Sequence, residues 1–151
     1  MRDEGLYTTI EEAEHLIEIG LDPASCDIWY EQRAEFMTDP FEWKAFVGEN
    51  MAIKNNLFSY RNRQVIPCWS ALRLMTLLPE TIKVKDTVFN LFISFREGRW
   101  YAEYQDQYFH HMLFCGYYTS LVNMIISMFE SLKKWRINEN GEQEEPQRQK
   151  E

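Results

Sequence analysis

The sequence predicts an α+β domain. In it, a small antiparallel sheet packs against a C-terminal amphipathic helix and two shorter helices. Three observations carry this. Phe89, Leu91, Ile93 and Phe95 alternate with Asn90, Phe92, Ser94 and Arg96, the period-two signature of a strand with one apolar face. Glu97-Gly98 and then Trp100–Tyr104 turn that strand into a hairpin over about 87–104. From Ser120 to Trp135, Leu121, Ile125, Met128, Leu132 and Trp135 step by four and three, and Val122, Ile126 and Phe129 widen the stripe to that of a core helix.

The elements follow in order. Thr9-Ile10-Glu11-Glu12 is a capping box that opens a helix over about 10–19, with Ile10, Ala13, Leu16 and Ile17 on one face. Gly20 suits the left-handed position that ends it, and Asp22-Pro23 forbids continuation. Between 22 and 62 the apolar positions keep no clean period, which reads as an irregular, partly helical segment. Gln64-Val65-Ile66 is a short strand stopped by Pro67. Ser70 caps a helix of about 71–78, with Leu72, Met75 and Leu78 inward and Pro79 closing it. A third strand is expected at 108–114, interrupted by Gly116. The domain is expected to span 1–137. Residues 138–151, with no strong apolar run, are expected to be a disordered polar tail.

Charge is unevenly distributed. Of the net −8, residues 1–49 hold 13 acidic and 3 basic side chains, whereas 50–138 hold 6 acidic and 11 basic ones. Such asymmetry bears on partners and not on fold. Glu11, Glu14, Glu18 and Asp22 share one side of the first helix and its exit, a surface suited to a basic protein partner. No secretory h-region opens the chain and no stretch is apolar enough to span a bilayer, so a cytoplasmic protein without membrane association is expected. Three cysteines fit free thiols in a reducing compartment better than a disulfide framework.

No catalytic, cofactor or metal set emerges. His110 and His111 are adjacent and on a strand would point to opposite faces, so they cannot chelate one ion together. Cys115 and His111 are too far apart along a straight strand to form a thiol–base pair. An enzyme or small-ligand site would have to gather distant residues such as Trp69, Trp100, His111 and Cys115. Basic residues, among them Arg61, Arg63 and Arg99, are interleaved with rings such as Tyr101, a pattern used to hold single-stranded nucleic acid. The acidic net charge and the lack of a recognised motif weigh against that partner. Phe92, Tyr101 and Tyr117 fall outside the expected core faces and suggest self-association. The leading expectation is a non-enzymatic interaction or accessory module.

Two stretches, Gly20-Leu21-Asp22-Pro23-Ala24-Ser25-Cys26-Asp27 and Pro67-Cys68-Trp69-Ser70-Ala71-Leu72 running to Leu78-Pro79, resemble uncharacterised small proteins encoded by gut-bacterial phages and mobile elements. The resemblance implies an α+β domain and a mobile-element setting, and it supplies no activity. The chain departs from that pattern in Cys68, where alanine is usual, in the long segment 36–62 and in the tail after Trp135.

Overall fold

The computed structural model describes residues 6–31, 44–47, 65–108 and 111–144, and the chain divides into two compact units, Met1–Leu74 and Met75–Glu151. The sequence reading expected one domain over 1–137. Each unit is α+β. No helix of the described residues is long and apolar enough to cross a membrane.

In the first unit, helix α1 (Ile10–Glu18) begins at the expected capping box: Thr9 Oγ1 accepts from the Glu12 amide, and Glu12 Oε1 accepts from the Thr9 amide. It ends in a Schellman motif, with Gly20 at φ 111° and the Gly20 and Leu21 amides donating to the carbonyls of Ile17 and Leu16. Ala13 and Leu16 are buried beneath it. Strands β1 (Ile28–Glu31), β2 (Lys44–Val47) and β3 (Val65–Cys68) form an antiparallel sheet in the order β2-β1-β3. This corrects the irregular reading of 22–62, within which β1 and β2 lie. The strands are four residues long, too short for a period to stand out, and their partners are distant in sequence. Pro67 does not stop β3 but lies within it, opposite Trp29. Edge placement explains this, because an edge strand tolerates a residue without an N–H.

Helix α2 (Ala71–Leu77) follows, and the boundary between the units falls inside it. Its buried residues are Ala71 and Leu74, followed by Leu78; Leu72, expected inward, is 72% exposed.

The second unit is a meander, β4 (Thr81–Val84), β5 (Thr87–Arg96), β6 (Arg99–Asp106) and β7 (Met112–Tyr118), followed by α3 (Leu121–Lys134). Ser120 Oγ caps α3, and Val122, Met124, Ile125, Met128 and Leu132 are buried. The hairpin turns at Glu97-Gly98 as expected, whereas β4 was not foreseen. Helix α3 packs on β6 and β7. This explains why, on the face expected inward, Phe89 is buried, Leu91 and Ile93 are half-buried, and Phe95 is 56% exposed.

The third strand of the hairpin sheet runs through Gly116 instead of stopping before it. A Cβ at Gly116 would come within 2.8 Å of the Tyr118 ring, so the glycine leaves room for that ring and does not break the strand. The tail also differs from expectation at its start. Residues 138–144 form a hydrogen-bonded turn: the Gly141 carbonyl accepts from the Lys83 amide at 2.8 Å, and the Glu144 amide donates to Arg136. Residues 145–151 lie outside the described residues.

Candidate interaction surface

Alternation along β5 and cross-strand register fix which side chains share a face of the second sheet. Tyr104 and Trp100 face α3: Tyr104 meets Phe114, which in turn packs edge-on against Trp135, and Tyr118, opposite Trp100, hydrogen-bonds Ser127 at 2.7 Å. The other face follows from the pairs Val88↔Lys83, Phe92↔Glu103, Ser94↔Tyr101, Arg96↔Arg99, Tyr101↔Tyr117 and Gln105↔Met112.

That outer face exposes several large apolar side chains among polar ones. Phe92 on β5 is 44% exposed, and Met112 and Tyr117 on β7 are 53% and 67% exposed. The Tyr101 and Tyr117 rings sit 4.8 Å apart at 44°. Beneath them is a carboxylate: Glu103 is only 2% exposed and accepts from the Tyr101 hydroxyl. Burial, and next the hydrogen bond to Glu103, push the Tyr101 phenol up, so it stays protonated and keeps donating. Between Ala102 and Tyr104 the ladder shifts, with Phe114 and Cys115 together opposite Glu103. Phe114 takes φ 59°, which turns its ring to Tyr104 and Trp135 while Cys115 stays exposed.

The residues singled out from sequence are dispersed. Trp100 lies on the helix side of the sheet, its ring 4.9 Å from Phe95. Cys115 lies near Tyr101, whose ring belongs to the outer face, so Trp100 and Cys115 do not share a pocket. His111 is exposed ahead of β7, and its backbone is bonded to Asp106, with the His111 amide donating to Oδ1 at 3.2 Å. Among the described residues, no group of three or more His, Cys, Asp or Glu is arranged to hold a metal ion. Arg99 is exposed on the outer face, whereas Arg61 and Arg63 lie outside the described residues.

Trp69 belongs to the first unit, where it anchors a polar stitch. Its indole N–H donates to Ser25 Oγ at 3.0 Å, and its amide donates to Thr8 Oγ1 at 3.1 Å. Cys68 Sγ lies 3.0 Å from both Thr8 Oγ1 and the Thr8 carbonyl, and Tyr30 donates to that carbonyl. Asp27 accepts from the Ser70 amide and hydroxyl at the start of α2. Burial pushes the Cys68 and Cys26 thiols up to about 11, which makes both poor nucleophiles near neutral pH. The stitch joins the N-terminal segment, the 22–27 turn and β3.

Glu11, Glu14, Glu18 and Asp22 are all exposed, as their spacing predicts. Asp22 has a second task, because its carboxylate caps the Pro23–Ser25 turn by accepting from the Ala24 amide at 3.0 Å.

The sequence reading found Phe92, Tyr101 and Tyr117 but treated them as separate leftovers. The sequence links Lys83 and Arg96 to Tyr101 only as part of a basic and aromatic stretch, and does not link Met112 to them at all. The missing signal was register across four strands, which only the β4–β5 and β6–β7 pairings supply. Compared with known proteins, the chain matches no family model, no curated protein and no solved structure.

Proposed function

We propose that this chain is a non-enzymatic interaction module that binds its partner through the outer face of the β4–β7 sheet. The observation that supports it is the gathering of Phe92, Met112 and Tyr117, each more than two-fifths exposed, on one face around the Tyr101–Glu103 pair. Exposed apolar side chains in one contiguous group, rather than scattered singly, mark interaction surfaces. Cytoplasmic placement and a mobile-element setting, the latter implied by the resemblance at 20–27 and 67–79, belong to the same proposal.

The test is quantitative affinity capture from the native host with wild type and with Phe92→Ser/Tyr117→Ser. Both side chains are exposed, so the double variant should fold normally. Partners enriched with wild type should be lost with the variant; identical partner lists refute the reading. If the protein sediments as a dimer and the variant as a monomer, the partner is a second copy.

The acidic stripe favours a second reading, a basic protein docked on α1. Glu11, Glu14 and Glu18 are exposed while Ala13 and Leu16 turn inward. Glu11→Lys/Glu14→Lys/Glu18→Lys should abolish such a contact, which should also weaken steeply with salt.

A further inference from the structure

We propose that the partner of the outer sheet face is single-stranded nucleic acid, with bases stacked on Phe92, Tyr101 and Tyr117. This rests on the reading of that face as the binding surface and goes further by naming the class of ligand. Three aromatic rings on adjacent strands β5, β6 and β7 face the same way. Flat, solvent-facing rings suit bases, since every base presents a π-face and stacking on an aromatic contributes about 1–3 kcal/mol per base. One ring is held in place. The Tyr101 hydroxyl donates to Glu103, and that carboxylate is almost fully withdrawn from the surface.

The exposed charges fit the same ligand. Among the outward-facing residues of the four strands, the exposed side chains that carry a charge at neutral pH are Lys83, Arg96 and Arg99, all cationic. Glu103 is the one carboxylate on that face among the described residues, and it is buried. Glu142 is bridged to Lys83 through the backbone along the edge of β4. At the hairpin end the face carries Arg96 and Arg99, with the exposed Glu97 in the turn between them. Two phosphate contacts on a single strand give a slope of log K against log salt of about −1.4. Affinity should fall only about sevenfold between 50 and 200 mM salt. Stacking, more than charge, carries the interaction. A duplex keeps its bases stacked on one another and cannot offer their faces to such a platform.

The experiment uses the full chain and a fluorescent oligothymidylate of about 12 nucleotides, read by anisotropy. A blunt duplex of equal length and polyglutamate, a polyanion without bases, serve as competitors. Expected results are binding of the single strand and at least tenfold weaker competition by the other two. Tyr117→Ala and Phe92→Ala should each weaken binding about tenfold. Tyr117→Trp should restore it, and Arg96→Gln/Arg99→Gln should flatten the salt slope. Circular dichroism of each variant guards against misfolding. Absence of single-strand binding, equal competition by polyglutamate, or indifference to Tyr117→Ala overturns the inference. If the capture experiment still loses a protein partner with Phe92→Ser/Tyr117→Ser, the face is a protein-docking surface; the interaction reading then stands and this inference falls.

Discussion

Replacing Thr8 by Val exchanges one hydroxyl for a methyl of similar size at a site with no solvent exposure. Thr8 Oγ1 accepts from the Trp69 amide at 3.1 Å and shares a hydrogen bond with Cys68 Sγ at 3.0 Å. The Thr8 backbone keeps its own bonds in the variant: its amide donates to the Trp69 carbonyl, and its carbonyl accepts from Tyr30. The perturbation is therefore one orphaned amide on a fully buried tryptophan. An unsatisfied buried donor costs about 1–3 kcal/mol. Thr8→Ser provides the control, because it keeps the oxygen and loses one buried methyl, worth about 1 kcal/mol. Urea unfolding followed by fluorescence gives the two stabilities, and hydrogen exchange at the Trp69 amide gives the local effect. Thr8→Val should cost about 2 kcal/mol and Thr8→Ser about half that, with Trp69 exchange accelerated only in the first. A Val variant within about 0.5 kcal/mol of wild type, or a Ser variant costing more than the Val one, would show that the methyl matters and the hydroxyl does not.

Gly141 sits at φ 78°, and a Cβ there would lie 2.0 Å from the Thr81 carbonyl oxygen, so Gly141→Ala should detach the 138–144 turn from β4; loss of exchange protection at the Lys83 amide checks this, and unchanged protection sinks it. Arg136 occupies the left-handed position of a Schellman motif at φ 57°, with the Arg136 and Ile137 amides bonded to Lys133 and Leu132, so Arg136→Gly should stabilise by about 0.5–1 kcal/mol in urea midpoints, and a destabilised variant would contradict it. The buried Cys68 thiol, held up at about 11 against an ordinary 9.0, keeps its proton in the folded chain. Its contribution is complete below pH 9.0 and is lost as pH rises toward about 11, on the order of 2 kcal/mol, so Cys68→Ala should flatten the alkaline arm of the stability profile and an unchanged slope would refute the assignment.

Where an element is specified by signals a few residues apart, the sequence displays it. The Thr9–Glu12 capping box, the Gly20 stop, the Glu97-Gly98 turn and the Ser120 cap are all present in the structure. Elements specified by partners far along the chain were hidden. Strand β1 pairs with β3 across dozens of residues, and four residues of Ile-Trp-Tyr-Glu carry no period that separates strand from loop. Thr81–Val84 does alternate, exposed and buried in turn, but four residues after a proline make a weak signal until Val84 and Thr87 are seen to pair. Gly116 misled in another way. Its role is to make room for Tyr118, a packing fact invisible to turn chemistry.

The candidate surface was legible in its members and illegible as a surface. Strand β5 bears a phenylalanine on each side, Phe89 and Phe92, so alternation alone does not say which side meets the helix. The structure settles it by burying Phe89 and leaving Phe92 open. Once that single parity is known, register does the rest. Phe92 fixes Glu103 opposite it, Ser94 fixes Tyr101, and Tyr101 fixes Tyr117 on the next strand. The same parity carries Arg96 and Arg99 to this face and sends Trp100 to the other. The interleaved basic and aromatic residues of the sequence thus sort into two groups with different roles. Trp100 lies half-buried on the helix side of the sheet, while Tyr101 and Arg99, its immediate neighbours, lie on the outer face with Phe92 and Tyr117. Adjacent residues with opposite fates are what a strand imposes, and a composition window that averages over neighbours erases that distinction.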